Sequence, residues 1–262
     1  MREDQIILVD KPAGISSFGV VAKVRARLRS DFGHKIKVGH TGTLDPFATG
    51  LLILLSGKMT KKSNEFLKLD KVYEATLKLG FISTTGDPEG EITKYSQSKK
   101  FTKIEERKNQ SITCNNITEA PENTLSRSIF ADGANTERPK PVTTGLRERS
   151  EKDVSLTLSN FIGKITQTPP RFSAIKVGGQ RAYKLARAGQ DFEIPSRQVE
   201  IYSIDIINYN YPELKIRVHC SSGTYIRTLA EDIGTKLGTG AYLTALRRTE
   251  VGKYSVKDAK VL

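Results

Sequence analysis

A loop between two apolar segments carries the carboxylate best suited to chemistry. Residues 39–50 read GHTGTLDPFATG, and the glycines, threonines and proline favour a rigid backbone from which Asp45 projects. An ionised carboxylate held in this way is suited to covalent attack on a substrate or to stabilising charge as a bond breaks. Asp45 could equally accept hydrogen bonds from its own turn, and the loop alone leaves both interpretations open.

Other catalytic motifs are poorly supported by the sequence. Residues 31–33 read DFG, but no other kinase motif accompanies them, and residues 39–45 lack the Gly-Lys-Ser/Thr ending of a phosphate-binding loop. The chain has three histidines and two cysteines, with no His-x-x-x-His pair and no four-cysteine set. We therefore expect no metal site.

The composition points to a polyanionic partner. The 262 residues include 42 lysines and arginines against 29 acidic residues, which gives a net charge of +13. Such a surplus suits contact with phosphates, although a solubilising surface would also explain it. The longest apolar runs are too short to cross a bilayer and the N-terminus has no signal-peptide pattern, so we expect a cytoplasmic protein without membrane association.

Three elements should position the Asp45 loop. Residues 5–9 predict a buried strand that runs into a turn, and Ser16 or Ser17 could cap a following helix. The apolar positions of that helix are Val20, Val21, Val24 and Leu28. Residues 51–55, directly after the loop, are all apolar and predict a strand buried on both faces.

Two later segments alternate between apolar and polar residues, which predicts strands with one buried face. They are residues 71–80, with Tyr73 on the apolar face, and residues 214–220. Thr224 could cap the next helix, which would hold Tyr225 and Arg227 in its first turn and end at Gly238. The apolar positions of this helix are Ile226, Leu229 or Ala230, Ile233 and Leu237.

The remaining pattern completes the fold class. The apolar residues Val154, Leu156, Leu158, Phe161 and Ile162 predict a further helix. Residues 97–150 are polar and carry three of the thirteen net charges, which is typical of an insertion or a mobile loop. Strands and helices do not alternate regularly, so we expect an α+β fold with a mixed, largely antiparallel sheet.

Five motifs, in order, resemble those of the bacterial tRNA pseudouridine synthases of the TruB type. They are Lys11-Pro12, residues 39–50, Lys71-Val72-Tyr73, Gly223-Thr224-Tyr225-Ile226-Arg227 and Leu246-Arg247-Arg248. The similarity covers about residues 5–95 and 154–258. It implies the pseudouridine synthase fold, a single catalytic domain over residues 1–262 with a polar insertion at 97–150, and an isomerase that uses no cofactor.

The resemblance also implies roles for individual residues. Asp45 matches the nucleophile that opens the glycosidic bond of uridine, and Arg227 matches the arginine that holds this carboxylate ionised. Tyr73 and Tyr225 match active-site tyrosines, and Leu246 matches a leucine on the other side of the base. Core packing would also explain Tyr73 and Leu246, and a phosphate contact would explain Arg227.

Further residues match substrate-binding positions of the family. Lys11 belongs to the first motif, and His40 matches a histidine that fills the space vacated by the extruded base, although a structural histidine is the alternative. Residues 168–187 resemble a mobile clamp over the RNA, although they could also form a solvated helix face. Its candidate RNA contacts are Arg171, Lys176, Arg181 and Lys184.

The resemblance implies a substrate and leaves alternatives. The expected partner is the T arm of tRNA, with modification at position 55 and with no obligate protein partner, so we expect a monomer. Bacterial members usually continue into a small C-terminal RNA-binding domain, which we do not expect here. A tRNA-folding chaperone, an RNA-binding module or a synthase for another stem-loop RNA would fit the same motifs.

Overall fold

The structure is a computed structural model that describes residues 2–96 and 149–261. Most of the expected insertion at 97–150 therefore lies outside the described residues. The helices are α1 (Ser17–Phe32), α2 (Ser63–Leu67), α3 (Glu151–Ser159), α4 (Ala182–Arg187) and α5 (Ile226–Leu237), with 3-10 turns at Gly57–Lys62 and Val256–Asp258. The longer strands are β1 (Ile6–Lys11), β3 (Thr49–Ser56), β4 (Lys71–Leu79), β7 (Gly163–Gln167), β10 (Arg197–Asn210), β11 (Glu213–Cys220) and β12 (Ala241–Val251). The short strands are β2 (Val38–His40), β5 (Phe81–Ser83), β6 (Ile92–Lys94), β8 (Lys176–Val177), β9 (Gln180–Arg181), β13 (Tyr254–Ser255) and β14 (Lys260–Val261).

One large sheet organises the described residues, in the strand order β14-β1-β3-β12-β4-β11-β10-β7. Within the described ranges, only the β1–β14 and β3–β12 pairs are parallel. The mixed, largely antiparallel sheet of the expected α+β class is confirmed. β12 lies between β3 and β4, so a strand that is late in the sequence joins β3, which follows the Asp45 loop, to β4, which carries Tyr73.

The alternating strands β4 and β11 form the centre of the core. Every second residue of β4 from Lys71 to Leu79 is buried, and β11 buries Leu214, Ile216, Val218 and Cys220 in the same way. The two strands pair with Tyr73 opposite Val218. The helices α3 and α5 contribute apolar residues to this core. The predicted strands and their buried faces are therefore confirmed.

The elements on either side of the Asp45 loop also match their sequence pattern. α1 begins after Ser16, whose hydroxyl accepts the Gly19 N–H, and it buries all four predicted apolar residues. β3 is buried along nearly its whole length, as a strand covered on both faces should be. These two elements hold the two ends of the segment that contains Asp45.

The helix predicted from Val154 to Ile162 is present as α3, but its predicted extent is wrong. α3 ends at Ser159, so Phe161 and Ile162 follow it, and Leu156 is 71% exposed. The helix buries Val154 and Leu158, which are four residues apart and share one face, whereas Leu156 points away from that face.

Thr224 does not cap α5. Its hydroxyl donates to the Ser221 carbonyl oxygen at 3.0 Å. The N-cap is Tyr225, whose N–H donates to the Gln167 side-chain oxygen at 3.1 Å. A distant side chain, on β7, therefore holds the backbone at the start of α5, and among the described residues no side chain caps the helix.

Candidate active site

A cavity of about 330 Å³ opens where the Asp45 loop, β4, β12 and the start of α5 meet. The alternation of β4 and β12 directs side chains of both strands into it, and the N-terminal turn of α5 closes another wall. Among the residues that line the cavity are Asp45, Tyr73, Ser173, Tyr225, Arg227 and Leu246. The structure thus brings together five of the residues proposed from the sequence.

Asp45 and Arg227 form a two-pronged ion pair in this cavity. Arg227 Nε lies 3.0 Å from Asp45 Oδ2, and Nη2 donates to Asp45 Oδ1 at 3.3 Å. The arginine side chain is 5% exposed and the aspartate side chain is 33% exposed. The guanidinium is therefore internal, whereas part of the carboxylate faces the cavity and is accessible to a substrate.

Arg227 also binds a second carboxylate that the sequence analysis missed. Its Nη1 lies 3.2 Å from Asp87 Oδ2, and the Asp87 side chain is 4% exposed. The same nitrogen donates to the Thr85 carbonyl oxygen at 3.1 Å, and Nη2 donates to the Phe172 carbonyl oxygen at 2.9 Å. One guanidinium thus joins the Asp45 loop, the turn after β5 and the segment that leads into β8.

Asp87 is itself held rigidly within its turn. The Thr85 hydroxyl donates to Asp87 Oδ1 at 2.5 Å, and the Glu89 N–H donates to the same oxygen at 3.0 Å. In the sequence this turn looks like an ordinary Gly/Pro/Asp connection. The pairing of buried charges could have pointed to Asp87, because an arginine inside the fold needs carboxylate partners.

The electrostatics of Asp45 follow from its position. Burial raises the pKa of its carboxyl group above the ordinary value, and the charge of Asp87 adds to this rise. The Arg227 and Lys11 charges oppose the rise. The pair with Arg227 thus favours the ionised form, which a nucleophile requires, in a setting that would otherwise favour the protonated form.

Backbone contacts from the N-terminal segment fix the Asp45 loop. The Ser17 hydroxyl accepts the Leu44 N–H at 2.8 Å and donates to the Leu44 carbonyl oxygen at 2.9 Å. On the other side of Asp45, the Gly14 N–H donates to the Pro46 carbonyl oxygen at 2.9 Å. Both neighbours of the aspartate are therefore anchored to the start of α1 and to the turn before it.

Lys11 belongs to this scaffold, and the expectation that it binds substrate stays a prediction. The residue is fully buried, and its ammonium donates to the carbonyl oxygens of Pro12, Ile15 and Pro46 at 2.9, 2.7 and 3.0 Å. Burial lowers its pKa to about 8. Because the three donors of the ammonium are used within the protein, Lys11 holds the loop and does not face the cavity.

A second buried cation, Arg248, holds the loop from β12 and was not proposed from the sequence. Its Nε donates to the Leu51 carbonyl oxygen at 2.8 Å and its Nη2 to the Gly42 carbonyl oxygen at 3.2 Å. The backbone of Arg248 passes so close to Gly50, at φ +101°, that a Cβ at this position would overlap it. Arg248 also lines the cavity.

Tyr73 and Leu246 supply the apolar walls. Tyr73 is 9% exposed and Leu246 is 7% exposed, and they lie on the neighbouring strands β4 and β12. Burial raises the pKa of the Tyr73 hydroxyl, and the charge of Arg248 opposes that rise. The half-buried Tyr225 lies under the Arg197 guanidinium, which is 4.7 Å from the centre of its ring.

His40 lies beside the cavity and is not among the residues that line it. It ends β2, and its Nδ1 accepts the Gly42 N–H at 3.4 Å. Burial lowers the pKa of its imidazole, and the charge of Arg248 lowers it further. The structure thus favours neutral imidazole at this position, and a substrate contact by His40 stays a prediction.

The expected clamp contains the β8–β9 hairpin and α4. Arg171 binds Asp191 at 3.2 Å and stacks over Phe192, with 4.9 Å to the ring centre. Arg181 donates to the Ala174 carbonyl oxygen. Both arginines therefore have internal partners, whereas Lys176 and Lys184 are exposed. The RNA contacts of all four residues stay predictions.

None of the helices in the described ranges is long and apolar enough to cross a membrane. In the same ranges, no group of three or more histidine, cysteine, aspartate or glutamate side chains could hold a metal ion.

The fold resembles that of chains in two solved complexes. A chain in the crystal structure of a Cbf5-Nop10-Gar1 complex aligns with a TM-score of 0.58 and 23% identity, over 99% of this chain and 52% of that chain. A chain in the structure of an H/ACA RNP bound to a substrate RNA aligns with a TM-score of 0.57 and 21% identity, over 99% and 51%. At these identities the likeness concerns the fold.

The chain belongs to the TruB family of pseudouridylate synthases. The model of that family's N-terminal domain matches residues 29–123 and 131–226, and a model described as the tRNA pseudouridylate synthase B C-terminal domain matches residues 227–262. A Phocaeicola vulgatus protein named tRNA pseudouridine synthase B is 40% identical over 258 residues, which are 98% of this chain and 89% of that protein. A Bifidobacterium longum protein of the same name is 36% identical over 276 residues, and the match spans 97% of this chain but 64% of that relative.

Proposed function

We propose that this protein is a tRNA pseudouridine synthase that isomerises the uridine at position 55, in the T loop. The observation that carries the proposal is the Asp45–Arg227 ion pair, which faces a cavity walled by Tyr73 and Leu246. Family membership and the names of the relatives support it. A base inside a folded RNA arm cannot reach such a pocket, so the substrate uridine must be flipped out of its stack.

In the proposed reaction, the Asp45 carboxylate opens the glycosidic linkage. The bond from ribose C1′ to N1 of the base breaks, the base turns, and a bond from C1′ to C5 forms. The C5 proton then leaves, and N1 gains a proton, so no cofactor is consumed. Arg227 keeps the carboxylate ionised and oriented, because its fork holds both oxygens in an interior that would otherwise favour protonation.

Tyr73 and Leu246 would hold the base while it is detached from the sugar. A flipped uracil has lost its stacking neighbours, and an aromatic ring offsets about 1–3 kcal/mol per base. The two side chains come from adjacent strands and line the same cavity. This arrangement lets the base turn within the cavity without leaving it.

The test is the release of tritium from tRNA labelled at C5 of its uracils. Wild-type protein should release the label from one uridine per tRNA, and Asp45→Asn should release none while it still binds the tRNA. Asparagine keeps the size of the side chain but removes its charge. Equal release by both proteins would refute the role of Asp45, and no release by the wild type would refute the proposed function.

Arg227→Ala and Arg227→Lys separate charge from geometry. Lysine restores the positive charge but cannot donate in a fork to two carboxylates and two carbonyl groups. We expect turnover to be lost in both variants, with RNA binding largely retained. Normal turnover of Arg227→Ala would exclude the ion-pair role, and recovery in Arg227→Lys would show that charge alone suffices.

We further propose that residues 1–262 act as one catalytic domain, as a monomer in the cytoplasm, with tRNA as the partner. The compact unit that contains residues 2–95 and 149–261 supports a shared catalytic domain for these two ranges.

Light scattering with and without tRNA tests the oligomeric state. Mapping pseudouridines in RNA from cells with and without the protein tests the substrate, and rescue of tRNA folding by Asp45→Asn would indicate a chaperone function.

A further inference from the structure

Ser173 carries a buried hydroxyl without a partner in the active-site cavity. The residue is 4% exposed and lines the same cavity as Asp45 and Arg227. Within the described residues, its Oγ is buried and has no hydrogen-bond partner. Leaving such a group unpaired costs about 1–3 kcal/mol, so a buried hydroxyl of this kind needs an explanation.

The backbone around Ser173 is fixed, so this hydroxyl does not lie on a loose loop. The Phe172 carbonyl oxygen accepts from Arg227 at 2.9 Å, and the Ser173 carbonyl oxygen accepts the Tyr183 N–H at 3.0 Å. The next two carbonyl oxygens accept from Arg181 and from the Ala182 N–H. The Ser173 side chain is thus positioned by the guanidinium that also positions Asp45.

We propose that the Ser173 hydroxyl is a substrate contact, which binds the polar edge of the flipped uracil. The inference rests on the proposed function. The base is the part of a nucleotide that enters a closed cavity, while the phosphates remain at its mouth. The edge of uracil offers two carbonyl oxygens and one N–H, and a hydroxyl can donate to the former or accept from the latter.

This assignment predicts that Ser173→Ala has opposite effects on stability and on substrate binding. The hydroxyl has no partner among the described residues, so its removal should leave the thermal midpoint unchanged or raise it. Loss of one hydrogen bond between neutral groups should weaken binding of a T-arm stem-loop by about 3- to 10-fold. A residue that only supports the fold would show the reverse pattern.

Single-atom analogues identify the contact. Dissociation constants are measured in the Asp45→Asn background, with and without Ser173→Ala, for stem-loops that carry uridine, 2-thiouridine, 4-thiouridine or N3-methyluridine at the target position. We expect the Ser173→Ala penalty to disappear for at least one analogue, because the atom that contacts the hydroxyl is then already altered. The matched control is Thr224→Val, which removes a hydroxyl of the same cavity that already donates to Ser221.

Three results would overturn the proposal. They are an unchanged dissociation constant in Ser173→Ala, an equal penalty for uridine and all three analogues, and a lower thermal midpoint, which would reveal a partner within the protein. Thr224→Val should lower the thermal midpoint, and its effect on the dissociation constant should be the same for uridine and for every analogue. Tritium release by the wild type is measured in parallel, so that failure of the proposed function is distinguished from failure of the Ser173 contact.

Discussion

Asp87→Asn tests whether Arg227 requires two carboxylates. The side chains of Asp87 and Arg227 are 4% and 5% exposed, and Asp87 Oδ2 lies 3.2 Å from Arg227 Nη1. This contact is therefore shielded from water and salt. Asparagine keeps the shape and one oxygen acceptor but removes the charge. Arg227 then keeps Asp45 as its carboxylate partner but loses the ion pair with Asp87 that helps to hold the guanidinium in place.

The magnitude follows from the type of contact that is changed. The single oxygen of asparagine cannot accept both from Arg227 and from the Thr85 and Glu89 donors, so about one hydrogen bond to a charged group is lost. The substitution should therefore cost about 1.5–3 kcal/mol. If this cost falls on the positioning of Asp45, the rate of the chemical step should decrease by about 10- to 150-fold.

The pH dependence of the rate provides a second, independent test. The Asp87 charge helps to raise the pKa of Asp45, and the proposed mechanism requires ionised Asp45. Without that charge the pKa of Asp45 falls towards its ordinary value, so the acid limb of the pH profile should move to lower pH. The variant should thus be slower at neutral pH and yet retain a larger fraction of its own maximum rate in acid.

Single-turnover tritium release over the acid and neutral range measures both quantities. Glu89→Gln is the matched control, because it removes an exposed carboxylate from the same turn without touching Arg227. We expect this control to stay within about twofold of the wild type, as exposed charges contribute little. An Asp87→Asn rate equal to that of the wild type, or an acid limb displaced to higher pH, would refute the reasoning.

Three further predictions concern the scaffold and the clamp. Lys11→Met leaves three carbonyl groups without their donor and should lower the free energy of unfolding by about 2–4 kcal/mol in urea titrations, whereas an unchanged stability would exclude the scaffold role. Gly50→Ala forces a Cβ against the Arg248 backbone at a positive φ and should destabilise the protein by more than about 2 kcal/mol, while Gly189→Ala, with a positive φ but open space, should cost less. Replacing Lys176 and Lys184 by alanine should reduce the slope of log affinity against log salt by up to about 1.8 if each contacts a phosphate, and an unchanged slope would remove both from the RNA interface.

The sequence predicts well those features that depend on local periodicity. The alternation in β4 and β11 identifies their buried faces because each strand is covered on one side, and the apolar stripe of α1 identifies its core face. The periodicity overestimates the length of α3, because the apolar residues after Ser159 continue the helical spacing although the helix has ended. Periodicity does not reveal where a chain leaves a helix to pack differently.

The site was only partly predictable for a different reason. Asp45 and Arg227 stand in recognisable motifs, but the partners that position them come from turns and strand ends whose residues look ordinary. Asp87 has the composition of a turn, and Ser173 is one serine among many. What distinguishes both is burial beside Arg227, which arises from contacts between distant parts of the chain.

The place of β12 between β3 and β4 has a consequence for biosynthesis. Asp45, Tyr73, β3 and β4 leave the ribosome early, whereas Arg227 and β12 are made much later. A nascent chain can therefore neither join β3 to β4 through β12 nor pair the Asp45 carboxylate with Arg227 until α5 and β12 have been made. The Asp45 carboxylate thus stays without its guanidinium until α5 has been made, so the ion pair and the cavity around it form late in synthesis.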